Sequence, residues 1–248
     1  MEVGKAIILS AGQGRRLRPL TDTRPKCLID LSGRSVLDWQ LGHLRAAGLR
    51  EVVVVTGFAA SDVEAEIGRL NAPGFKVRSL FNPFYGLTDN LATCWLARAE
   101  MAEPFLLLNG DTLFETAVAE RLLAAPPSPI TVAIDRKGAY DADDMKVQTQ
   151  GSRLMAIGKT ISTYDAESIG FLRFARQGAA GFVAAVDQAL RSPDGLKRWY
   201  LSVIDQIARE NGGVATASIE GLGWAEMDVP EDVARNLELT ERWSRVAA

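Results

Sequence analysis

The chain has 248 residues, 47% hydrophobic and 24% charged, with a net charge of -3. That composition suits a globular protein able to bury a sizeable core, and it excludes the disordered and fibrous classes. Lys and Arg are scattered along the chain instead of gathered into a stripe, so nucleic acid is not an expected partner.

In chain order, Lys5 to Ser10 reads as a buried strand, and its apolar run is too brief for a signal peptide. Val36 to Ala47 reads as a helix ended by Gly48, and Glu51 to Thr56, with four consecutive valines, as another buried strand. Ala60 to Leu70 is expected to be helical, Lys76 to Phe81 a strand, Asn90 to Ala102 a helix, and Pro104 to Leu108 a strand opening onto Asn109-Gly110-Asp111. Near-continuous apolar strands alternating with amphipathic helices predict an α/β fold with a mostly parallel sheet, in which ligands bind beyond the carboxyl ends of the strands.

After Pro129 the strands shorten, with candidates at Ile130 to Asp135, Met145 to Gln148, Leu154 to Ile157 and Ser168 to Phe174, which predict a small mixed β extension. Helices are expected at Gly181 to Arg191 and Leu201 to Asn211, a strand at Val214 to Ile219, and a last helix from Pro230 with Glu231 and Asp232 in its first turn. The Pro126 to Pro129 cluster is too short to be a linker, so residues 1–248 are expected to form one domain, made of a first half over 1–125 and a second over 126–248. No apolar stretch approaches bilayer thickness, so a cytoplasmic location without membrane insertion is expected. Oligomeric state is not readable, a homodimer being one option. Cys27 and Cys94 lack metal-type spacing and are expected to be reduced packing residues. With His43 the only histidine, a histidine-rich metal site is excluded, and any histidine base would have to be this residue.

The most informative segment runs from Leu9 through Ser10-Ala11-Gly12-Gln13-Gly14-Arg15-Arg16-Leu17-Arg18-Pro19-Leu20-Thr21 to Arg24-Pro25-Lys26. Small residues after the first strand let backbone N–H groups approach an anion, and the adjacent cations offer charge to a polyphosphate. It is not a P-loop, which would end in Gly-Lys-Ser/Thr, and Leu17 stands where a dinucleotide-binding turn needs a third glycine or alanine. The segment resembles the opening of the sugar-phosphate nucleotidylyltransferase superfamily, Gly-x-Gly-x-Arg-Leu-x-Pro-Leu-Thr followed by Pro-Lys, and the resemblance extends to the helix after Pro230. It implies a Rossmann-like three-layer sandwich of the nucleotide-diphospho-sugar transferase type, a loop of Ser10, Ala11, Gly12, Gln13, Gly14 and Arg15 around an NTP, Arg16 on the triphosphate and Lys26 on the reacting phosphates. Arg18 and Arg24 are expected on the surface.

Asp111, after a strand, and Asp228, before the last helix, match the positions at which that superfamily places metal-binding aspartates, which implies Mg²⁺; two carboxylates suffice for an ion that also takes phosphate oxygens and water. Asn82-Pro83-Phe84-Tyr85 and the following Thr88-Asp89-Asn90-Leu91 resemble the branch that contains CTP:phosphocholine and 2-aminoethylphosphonate cytidylyltransferases, implying CTP and a small phosphorylated or phosphonate acceptor. Asn82, Thr88, Asp89 and Asn90 are then candidates for the base, with a helix N-cap the competing role for Asp89. By the same analogy Lys146 and Lys159 reach acceptor or NTP phosphates. Trp199, Tyr200 and Trp224 could face a quaternary ammonium, and Glu167 and Asp205 a primary one. Such an acceptor oxygen is already anionic and attacks the α-phosphorus without a base, so positioning and charge neutralisation by Arg16, Lys26, Asp111 and Lys159 would carry the rate. A sugar 1-phosphate acceptor with UTP, dTTP or GTP, and a catalytically silent nucleotide-binding module, are the alternatives.

Overall fold

Isoleucine and valine runs that are buried at every position must be covered on both faces, and the computed structural model, which describes residues 3–246, shows how. The chain divides into two compact units, each drawing on both halves of the sequence: of the described residues, one comprises Gly4–Gly86, Leu108–Ala119 and 222–246, the other Val3, Leu87–Leu107 and Glu120–Gly221.

In the first unit, strands Lys5–Leu9, Glu51–Thr56 and Lys76–Phe81 run parallel, with Lys5 opposite Glu51 and Glu51 opposite Lys76. Val52 through Val55 are all fully buried, as a central strand requires. Helix Val36–Ala46 starts where Ser35 accepts the Asp38 N–H, and the chain leaves it through Gly48, whose φ of 93° suits glycine. A satellite core of Leu17, Ile29, Leu31, Val36, Trp39, Leu113 and Met227, backed by Val233, Leu237 and Trp243 of the last helix, ties the opening loop to both later segments of the unit. A short antiparallel ribbon, Thr112–Phe114 with Trp224–Glu226, was not legible in sequence, and neither was helix Thr116–Ala124. The last helix begins at Asp232 instead of Pro230, because the Asp232 carboxylate accepts the N–H groups of Asp228 and Val229 and closes the entry turn.

In the second unit the shorter strands form a mixed sheet ordered Ala166–Phe174, Ile130–Asp135, Val214–Ser218, Arg153–Ile157, Lys146–Gln150. Val214–Ser218 runs parallel to Ile130–Asp135, the other pairings are antiparallel, and Val147 pairs with Ala166 as well. Helix Asn90–Leu96 tightens into a 3-10 turn at Ala97–Met101. Helix Arg176–Leu190 begins five residues before the predicted start, with Gly178 against Pro129, where a Cβ would fall 1.9 Å from the Pro129 carbonyl oxygen. Phe174 stacks on Phe105 and meets Phe182 at a tilt, and Cys27 and Cys94, one in each unit, are buried free thiols, as packing residues should be. Among the described residues no helix is long and apolar enough to cross a membrane.

Candidate active site

The glycine-rich loop is held from several sides. Thr21, fully buried, donates its hydroxyl to the Gly14 carbonyl at 2.7 Å, and the Gln13 amide donates to the Thr21 carbonyl at 3.1 Å. Gln13, expected on the nucleotide, therefore uses one N–H to brace the loop. The Phe58 N–H donates to Ala11 O at 2.9 Å, and a Cβ on Gly57 would lie 2.5 Å from that same oxygen. Gly14 has φ 74°, and a Cβ there would press within 3.1 Å of the Lys26 stem, so this glycine serves both the turn and the lysine. Leu17 anchors the turn in the satellite core while Arg15, Arg18 and Arg24 are exposed, the latter two as expected.

Lys26 opens a 3-10 turn fixed by the buried Cys27. Its ammonium donates to Asp111 and, at 3.3 Å, to Asp228, while Arg16 pairs with the other Asp228 oxygen at 3.0 Å. Burial alone would lower the Lys26 pKa, but Asp111 and Asp228 hold it above the ordinary lysine value. Asp111 is aimed by residues that carried no sequence signal. Gln40, buried on its helix, donates to the carbonyls of Asn109 and Thr112, each at 2.9 Å, and Gly110 N–H donates to Leu9 O. A Cβ on Gly110 would meet Ser10 at 2.6 Å. The ribbon register then sets Asp228 beside Asp111, since Thr112 faces Glu226 and the Met227 N–H donates to Asp111 O.

Among the described residues no group of three or more His, Cys, Asp or Glu side chains could enclose a metal. The two-carboxylate arrangement nevertheless fits magnesium, because Asp111 Oδ1 is buried without a hydrogen-bond partner and the remaining ligands of such an ion come from phosphate and water. His43 is not an acid-base group: it stacks on Trp39, meets Trp243 edge-on and shares a hydrogen bond with Thr116, and burial pushes its pKa down to about 4.

Asn82 of the first unit is fully buried and accepts the Phe84 N–H, shaping the turn after its strand. In the second unit Asn90 accepts the Tyr200 N–H at 2.9 Å and so caps the start of helix Tyr200–Asn211. Asp89 occupies the N-cap position of helix Asn90–Leu96 without a side-chain capping bond, and burial raises its pKa against the pull of Lys197. Thr88 immediately precedes it.

Lys159 reaches Asp143 at 3.2 Å and lies over the half-exposed Trp199 ring at 4.9 Å, so these two predicted residues do meet. Others are committed elsewhere. Lys146 is buried and donates to the carbonyls of Asp141 and Lys159; Asp205 accepts the Ile157 N–H and pairs with Arg209. Tyr200 is fully buried with its hydroxyl donating to Gly170 O, so its ring is packed on both sides instead of facing a ligand. Trp224 belongs to the ribbon of the first unit.

Glu167 is buried and pairs with Lys137 at 2.9 Å, and Lys137 also bridges to Asp144. Lys137, with Tyr140 beneath it, was missed; its only sequence signal is its place in the loop following the strand Ile130–Asp135. Burial pushes the Glu167 carboxyl up to about 7 despite Lys137. The folded state therefore keeps a proton that the unfolded chain releases near 4.5, and this contribution to stability falls as pH rises toward 7 and is level above it. Glu167→Gln should flatten that decline in a series of thermal midpoints from pH 5 to 8. His43 acts with the opposite sign, losing stability as pH falls from 6.5 toward 4, so the variant is to be compared with the parent at each pH.

A family model described as "MobA-like NTP transferase domain" matches residues 6–142. The chain is 32% identical over 242 residues to CMP-5'-(3-aminopropyl)phosphonate synthase of Streptomyces rubellomurinus, covering 92% of the chain and 37% of that protein. It is 22% identical to CTP:phosphoglutamine cytidylyltransferase of Campylobacter jejuni, covering 94% and 99% respectively. The chain spans about half the length, or less, of several curated relatives it matches. Its fold is that of the solved inositol-1-phosphate CTP transferase from T. maritima, with a TM-score of 0.83 at 20% identity over 97% of this chain and 96% of that one.

Proposed function

The chain belongs to the MobA-like NTP transferase family, and from that premise we propose that it is a magnesium-dependent cytidylyltransferase that moves CMP from CTP to a small phosphorylated or phosphonate acceptor and releases pyrophosphate. The observation that carries this reading is the convergence of Arg16, Lys26, Asp111 and Asp228 beside a braced, glycine-rich loop. The relatives named for an aminopropylphosphonate and for phosphoglutamine support the acceptor class, and both names carry a cytidine nucleotide.

Asp111 and Asp228 would hold the magnesium ion, which when bound supplies charge neutralisation at the α-phosphate. Gly12 and Gly14 let the loop backbone approach the triphosphate, and Thr21 and Gly57 keep that backbone in place before the ligand arrives. Arg16, half exposed, can swing toward the phosphates, and Lys26 offers its ammonium to the α-phosphate and the leaving pyrophosphate. No proton need be removed from a phosphate or phosphonate nucleophile, which agrees with a neutral, packed His43. Lys159, Asp143 and Trp199 are the acceptor candidates, a cation, a carboxylate and an aromatic face presented together.

The test is pyrophosphate release with Mg²⁺ across four nucleoside triphosphates and three acceptors: phosphocholine, 2-aminoethylphosphonate and a hexose 1-phosphate. Release confined to CTP with either of the first two acceptors is expected. Release with UTP or dTTP and the sugar phosphate would overturn the nucleotide and acceptor assignment, and silence throughout would count against the activity.

A further inference from the structure

Asp111 and Asp228 are 117 positions apart in the chain numbering, yet they share one ammonium, that of Lys26, which lies 85 residues from one and 202 from the other. The three side chains are only 17%, 18% and 26% exposed. Two carboxylates brought this close, with little water to screen them, repel each other unless a cation stands between them. Lys26 supplies it, contacting Asp111 Oδ2 and Asp228 Oδ1, while Arg16 takes the second oxygen of Asp228. The group of two anions and two cations is thus neutral with no metal bound. A divalent cation added to it would compete with the lysine for the same oxygens, and would leave a net charge of about +2 with no phosphate to balance it.

We propose that Lys26 is the resident counter-ion of the metal-binding aspartates, holding them together in the ligand-free protein and giving way to a divalent cation far more readily once a triphosphate takes up its ammonium. The lysine is thereby a device that couples the two ligands: metal alone binds weakly, and metal with nucleotide binds well. Gly14 leaves the room for this movement, since the stem of Lys26 lies against it at a distance any larger residue would close. The inference rests on the reading of Asp111 and Asp228 as metal ligands, and its failure is separable from the failure of that reading.

The experiment is Mn²⁺ binding by calorimetry to the full chain without nucleotide, comparing the parent with Lys26→Met. The variant is expected to bind Mn²⁺ at least tenfold more tightly. Its metal-free thermal midpoint should fall below that of the parent, and Mn²⁺ should restore it. Equal or weaker binding by Lys26→Met overturns the counter-ion role. If Lys26→Met binds tightly but keeps that affinity after Asp111→Asn and Asp228→Asn are added, the metal is elsewhere, and the reading of the aspartates fails together with the proposal. Should Lys26→Met not fold, amine labelling of the parent read by mass spectrometry decides the matter. Saturating Mn²⁺ should raise the labelling rate of Lys26 severalfold relative to other lysines, and an unchanged rate overturns the proposal.

Discussion

Asp111→Asn is expected to lower kcat for CMP transfer by about a thousandfold while leaving the protein folded, a loss of the size seen when a preorganised electrostatic group is removed from an active site. The substitution is isosteric, and the contacts that place the residue are made by backbone: the Asp111 carbonyl accepts the Met227 N–H, and Gln40 holds the neighbouring carbonyls of Asn109 and Thr112. What changes is the charge. Lys26 loses one of its two carboxylates, and the buried Asp111 Oδ1, now without an anion to offer, no longer suits a metal. Steady-state kinetics at saturating CTP and Mg²⁺, with circular dichroism as the folding control, decide the matter. Turnover within tenfold of the parent would remove Asp111 from the mechanism.

Gly57→Ala should act through the loop instead of the chemistry. Its Cβ would fall 2.5 Å from the Ala11 carbonyl oxygen and 2.6 Å from the Tyr85 Cβ, and neither neighbour is the far end of a flexible side chain that could step aside. The loop must move, breaking the bond from Phe58 N–H to Ala11 O. Overpacking of this kind costs about 1–3 kcal/mol, a fall of several degrees in thermal midpoint for a chain of this size. The KM for CTP should rise by about tenfold or more through loss of loop preorganisation. Gly68→Ala is the matched control: nothing lies within 4 Å of its added methyl, it sits inside helix Ala60–Leu70, and it should gain up to about 1 kcal/mol from helix propensity. A normal KM in Gly57→Ala would show that the loop is not held from that side.

These two variants separate what could be read in one dimension from what could not. Asp111 stood out because it follows a buried strand and matches a known motif, and the family resemblance read from Gly12 through Lys26 is borne out by the family model. Gly57 and Gln40 carried no such mark. Gly57 is one glycine among 22, and a buried glutamine in an amphipathic helix looks like any polar position until its partners are known. Tyr200 shows the converse. An aromatic residue in the C-terminal half suited an acceptor pocket, but an aromatic ring is also the largest apolar surface a helix can bury, and here that role prevails. Lys146 was likewise read as a phosphate ligand, whereas its ammonium bridges two backbone carbonyls of the surrounding loops.

The sequence by itself determined the elements whose cause is local. The valine run of Glu51–Thr56, the periodic helix Ala60–Leu70 and the strand Lys76–Phe81 appear with the limits expected, because continuous burial and helical periodicity are properties of neighbouring residues. The glycine-rich turn and its lysine were legible for the same reason. Only the tertiary structure decided which charges meet. The ribbon of Thr112–Phe114 with Trp224–Glu226 is three residues per strand, too short for any periodic signal, yet its register alone sets Asp228 beside Asp111 and both beneath Lys26. Pairing across a long separation in sequence costs chain entropy that burial offsets, here of Leu17, Leu113 and Met227 in one small core, and no stretch of chain records that balance before it folds.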